Sequence, residues 1–122
     1  MVWMNAKKQI DENTTVEIFM SIYISRSHFY KRVEYYVNGE RTTRKKKIIK
    51  KVIEGAPAIL TADTYFWRGC QCHGEYRTQK EFEYVYDVAK FFADKGFDVE
   101  MGEGDCPSVK FREDIELDDL EC

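Results

Sequence analysis

"TTVEIFMSIYIS", residues 14–25, alternates cleanly between two kinds of side chain. Val16, Ile18, Met20, Ile22 and Ile24 fall on one face, with Glu17, Phe19, Ser21 and Tyr23 on the other. Period two over ten residues marks a strand with one buried face, because successive side chains of extended backbone point to opposite sides. The aliphatic face needs a core to cover it. The other face is partly aromatic.

Reading outward, the short link "RSH" leads into "FYKRVEYYV", residues 29–37, whose aromatic and β-branched residues suit a second strand. So short a link implies an antiparallel hairpin. Asn38-Gly39 then predicts a tight turn, since both residues tolerate positive φ. The basic stretch "RTTRKKKIIKK", residues 41–51, comes next. At about 100° per residue, Ile48, Ile49, Val52 and Ile53 gather in one sector and Lys46, Lys47, Lys50 and Lys51 in the opposite one. The spacing predicts a short strand passing into a short helix that ends at Gly55.

"APAILTADTYFW", residues 56–67, reads as another strand, and "RGCQCHGEYR", residues 68–77, as a loop. Thr78-Gln79-Lys80-Glu81 matches a capping box, which predicts a helix from there to about Lys95, stopped by Gly96. "FDVEM" and "SVKF" are short strands joined by "GEGDCP", with Gly102, Gly104 and Pro107 as turn formers. This succession predicts a single small α+β domain, with a mainly antiparallel sheet of about five strands packed against one long and one short helix. Residues 1–14 read as a loose N-terminal arm, 15–112 as the domain and 113–122 as an acidic C-terminal tail.

The 122 residues, 43% hydrophobic and 34% charged, suit one folded domain. No opening apolar run resembles a secretory leader, and no stretch approaches a membrane span. The expected location is therefore the cytoplasm, with Cys70, Cys72, Cys106 and Cys122 as thiols. Charge is distributed unevenly. Residues 1–60 hold 12 Lys/Arg against 6 Asp/Glu, and residues 61–122 hold 7 against 16. Unless the fold mixes the halves, the molecule has a basic and an acidic surface.

Four constellations bear on function. Arg41, Arg44, Lys46, Lys47, Lys50 and Lys51, with Tyr35 and Tyr36 nearby, could track phosphates and stack bases, or engage an acidic protein; the ordinary alternative is a solvated helix face. Glu113, Asp114, Glu116, Asp118 and Asp119 offer carboxylates to a basic groove, where the plain alternative is a solubilising tail. Trp67 and Arg68 are residue types that dominate interface centres, although Trp67 could equally seal a core edge. Cys70, Cys72 and His73, joined by Cys106, are weak zinc candidates, because C-x-C with an adjacent His strains to point inward together.

No phosphate loop and no nucleophile elbow are present, and two histidines supply little acid–base chemistry. The expectation is a cofactor-free, non-enzymatic protein that acts by occupying a protein or nucleoprotein partner. A phage or mobile-element inhibitor of host nucleic-acid-handling machinery fits that size and polarity. Direct nucleic-acid binding through residues 41–51 is the alternative.

Overall fold

A computed structural model describes residues 1–25, 28–62 and 74–122. The alternating stretch is strand β2 (Thr14–Ser25), and it lies inside an antiparallel sheet with β1 (Val2–Asp11), β3 (His28–Val37), β4 (Glu40–Thr42), β5 (Asp98–Glu103) and β6 (Val109–Lys110). The order across the six strands is β4-β3-β2-β1-β5-β6. The α+β reading holds, with one more strand than expected.

The extra strand is a correction. Residues 2–11 are no loose arm; they form a central strand, paired with β2 on one side and β5 on the other. Met4 faces Met20 and Met101, and Ala6 faces Ile18 and Val99. Val2, Met4 and Ala6 are fully buried. The period-two pattern is there in the sequence, with Asn5 and Lys7 at outward positions, but Lys8 breaks it on the inward face. A strand held on both edges needs less intrinsic propensity than an isolated one.

One sheet face is covered. Helix α3 (Gly74–Asp94) lies across it, burying Phe82, Val85, Val88, Ala89 and Phe92 against β1, β2 and β5. This helix starts before Thr78, so Thr78 lies within it and is not its cap. Glu81, the expected capping partner, instead lies buried beside the sheet. Its Oε2 accepts a hydrogen bond from the Ile24 backbone N–H at 2.9 Å. Because β1 begins at Val2, opposite Ile22, Ile24 has no strand neighbour there, and the carboxylate replaces one. The Met1 ammonium sits 3.2 Å from the other oxygen.

The far end of α3 closes as predicted. Gly96 adopts φ 88°, its N–H bonds to the Ala93 carbonyl, and the Phe97 N–H bonds to the Phe92 carbonyl. The Phe92 and Phe97 rings, 5.1 Å apart, complete a Schellman stop with its apolar contact. Asn38 and Gly39 also take the positive φ expected of the β3–β4 turn.

Helix α1 (Lys47–Val52) follows β4 as expected and buries Ile49 and Val52. The predicted strand at 56–67 is corrected over its described part, because Ala58–Thr61 is a turn of helix, α2. Pro57 precedes it, where a missing N–H costs nothing, and so short an apolar run does not distinguish strand from helix. Residues 63–67 lie outside the described residues.

The C-terminal tail is corrected too. Ile115 and Leu120 are buried, helix α4 (Leu117–Leu120) opens with a capping box between Glu116 and Asp119, and Cys106 is bridged to Cys122. Two apolar anchors five residues apart among acids form no recognisable period, which hid the segment. The bridge also overturns the reading of these two cysteines as thiols. Gly102, expected in a turn, lies within β5 beneath the Trp3 ring.

Candidate interaction surfaces

Helix α1 separates its two kinds of residue across its width. Ile49, Val52 and Ile53 turn into the core, while Lys46, Lys47, Lys50 and Lys51 are all exposed. Among the described residues none of these four lysines forms an ion pair. Lys47 with Lys50 and Lys51, and Lys46 with Lys50, are helix-surface neighbours at three and four residues' spacing. The face is therefore a concentrated, uncompensated positive charge.

The rest of the basic stretch is divided. Arg44 is half-buried and donates from Nη1 to the Thr61 carbonyl, tying the approach to α1 onto α2. Arg41 is exposed on the opposite sheet face, across from Tyr36 in the β3–β4 pair. The two tyrosines part in the same way. Tyr35 points into the core, where burial pushes its hydroxyl up from 10.0 while the Arg44 charge pulls the other way. Tyr36 lies on the open face and donates to Glu34 at 3.2 Å. Lysines and aromatics thus do not form one nucleic-acid platform.

The open face has an aromatic run of its own. Tyr23 and Tyr30, paired across β2 and β3, stack at 6.0 Å, and His28 stacks on Tyr30 at 6.2 Å. Tyr23 and Tyr30 are 47% and 54% exposed, unusual for rings of this size. Further along, Trp3 and Phe19 stack at 6.2 Å. Beside Phe19 lies a shallow polar depression where Asn5 donates to Glu17 at 2.9 Å and Arg32 pairs with Glu34 at 3.2 Å.

The acidic segment is largely engaged within the molecule. Glu113 pairs with Lys90 at 3.2 Å, Asp114 and Asp119 with Arg112 at 3.2 and 3.3 Å, and Glu116 and Asp119 cap α4. Asp118 is exposed. Between this segment and α3 runs a groove of about 470 Å³ lined by Phe82, Glu83, Tyr86, Asp87, Glu113, Asp114, Ile115 and Glu116. Partial burial, helped by the Glu83 charge, raises the Asp87 carboxyl above its usual 3.8. Lys90, bonded to Asp94 and Glu113, is raised as well.

A smaller cup, about 280 Å³, opens beside α1 and is lined by Ile10, Ile48, Val52, Phe97, Lys8, Lys51 and Lys95. Sequence reading missed it, because its walls come from β1, α1 and the end of α3. Ile10, an aliphatic isolated between Gln9 and Asp11 in the sequence, was the available signal, and the structure leaves it 40% exposed.

Trp67, Arg68, Cys70, Cys72 and His73 lie outside the described residues. Cys106, the fourth zinc candidate, is committed to its bridge with Cys122, which corrects its assignment as a ligand. Among the described residues no three His, Cys, Asp or Glu side chains converge to hold a metal, and no helix is long and apolar enough to cross a membrane. No family model matches the chain, and no curated protein or solved structure does either.

Proposed function

We propose that this chain is a non-enzymatic binding protein that works by occupancy, presenting the lysine face of α1 to an acidic surface on a protein or nucleoprotein partner. The observation that carries the reading is the contrast between its two charged regions. The four α1 lysines are exposed and unpaired among the described residues, whereas Glu113, Asp114 and Asp119 already have cationic neighbours. An inhibitor of host nucleic-acid-handling machinery, carried by a phage or mobile element, is the setting that best suits such a charge-polar, cofactor-free chain.

A cytoplasmic site of action belongs to the same proposal and has a consequence. Disulfides are rare in that compartment, so the Cys106–Cys122 bridge would have to persist there against a reducing environment, and thiol titration of the freshly isolated protein tests the location.

A second reading, direct binding of single-stranded nucleic acid, draws support from the exposed Tyr23–Tyr30–His28 stack, since ring faces suit unpaired bases. Fluorescence anisotropy with labelled single- and double-stranded DNA and RNA across a salt series tests both. Binding that falls steeply with salt, and falls further in Tyr30→Ala, supports the second reading. No binding at low salt, together with capture of an acidic protein that Lys46→Gln/Lys47→Gln/Lys50→Gln/Lys51→Gln fails to capture, supports the first. Equal capture by the wild type and the quadruple variant sinks it.

A further inference from the structure

We infer that the cup beside α1 receives one bulky apolar side chain flanked by carboxylates, so that the partner is an acidic protein segment. This deepens the occupancy reading above and rests on it. The floor is aliphatic, formed by Ile10, Ile48 and Val52, with the Phe97 ring at one side. Three ammonium groups surround it, and they do different work. The C-terminal ends of α1 and α3 both expose carbonyls here, and helix C-termini repel anions. Lys95 answers the first by donating to the Val52 and Glu54 carbonyls at 3.1 and 3.2 Å. Lys8 answers the second by donating to the Lys95 carbonyl at 2.8 Å, and its ammonium lies 5.8 Å from the Phe97 centroid.

With both helix ends neutralised, Lys51 remains. It is exposed, has no ion pair among the described residues, and belongs both to the cup rim and to the α1 face with Lys47 and Lys50. An apolar anchor seated on Ile10 would therefore have unspent positive charge directly beside it. At about 280 Å³ the cup lies at the small end of the roughly 300–1,000 Å³ range of ordinary small-molecule sites and has room for one large side chain. Nucleic acid would use the lysines but not the cup, because bases need flat ring partners and the floor is branched aliphatic. An acidic segment with a Phe or Leu at its centre uses both.

The test is anisotropy on the full chain with three fluorescein-labelled probes of matched charge. These are a dodecapeptide of Asp, Glu, Ser and Gly with one central Phe, the same peptide with Ala at that position, and oligo-dT. The Phe peptide is expected to bind about tenfold or more tighter than the Ala peptide, the gain from burying one large apolar side chain. Ile10→Ser should erase that ratio, and Lys51→Gln should weaken both peptides alike. Should Ile10→Ser fold poorly, methyl NMR of the wild type reads the same point, with shifts on adding the Phe peptide confined to Ile10, Ile48 and Val52. Phe and Ala peptides binding within twofold of each other would overturn the cup while leaving the α1 face standing. Failure of all three probes at low salt would overturn both, and oligo-dT binding tightest would hand the face to nucleic acid.

Discussion

At Gly102 a methyl group would arrive 2.3 Å from the Trp3 ring, far inside any tolerated contact. Trp3 pairs with Gly102 across β1 and β5, and its indole N–H reaches the Gly104 carbonyl at 3.2 Å. Gly102→Ala must therefore dislodge the indole, at a cost of about 1–3 kcal/mol, measurable by urea unfolding with Trp fluorescence. Asp87 supplies a pH signature. Its raised carboxyl means that, from 3.8 up to its folded value, the native state holds more proton than the unfolded state, so stability falls as pH rises through that window. Asp87→Asn should then melt slightly higher than the wild type at pH 7, by less than about 1 kcal/mol given solvent screening, and lose the advantage below pH 3.8. Neither residue advertised its role. A glycine two positions from a second glycine reads as a turn, and only the partner strand, almost a hundred positions away, shows that it is a seat for a ring.

Helices and strands were legible where one period ran long enough to dominate. β2 alternates over its whole length, and α3 carries an apolar face too wide to be anything else. β1 fails that standard because its inward positions run Val2, Met4, Ala6, Lys8, losing apolar character just where Lys8 leaves the sheet face to cap α3. The residue that spoiled the pattern is the one that ties two elements together. At α1 the periodicity was clear, yet the cup beside it was hidden, since Ile10 and Phe97 come from elements far apart in sequence. Replacing Lys46, Lys47, Lys50 and Lys51 with Gln should change stability by no more than about 0.5 kcal/mol, because exposed side chains without partners contribute little. A thermal melt checks this and separates loss of binding from loss of fold. Gly96→Ala should behave in the opposite way. It forces a methyl into left-handed backbone at φ 88° and sets it 3.4 Å from the Lys8 ammonium, costing about 1 kcal/mol or more by the same melt.

For the molecule as a whole, the C-terminal segment is structure, and that changes how its charge can be tested. Deleting residues 113–122 would remove Ile115 and Leu120 from the core and open the Cys106–Cys122 bridge. Such a truncation is expected to unfold the protein, seen as lost cooperativity in circular dichroism, so it cannot report on the acids. Amide replacements at Asp118 and other carboxylates without an ion-pair neighbour can. Opening the bridge by itself, with Cys106→Ser/Cys122→Ser, should lower unfolding free energy by about 3 kcal/mol in denaturant titration, the loop-closure expectation for a separation of 16 residues. Charge asymmetry was visible in the sequence because counting needs no geometry. That one charged region is satisfied internally and the other is not became visible only once Lys90 and Arg112 had positions.

The central place of β1 bears on how the chain is made. Its first edge is paired as soon as β2 emerges from the ribosome, but the second waits for β5, which starts at Asp98. At translation speeds of about 5–20 residues per second, that edge stays open for several seconds. During that interval Val2–Lys7 offers its unpaired backbone to any neighbouring nascent chain, including another copy from the same polysome. Slower translation lengthens the exposure, so the yield of native protein should be sensitive to the rate at which the stretch between Ser25 and Glu103 is made.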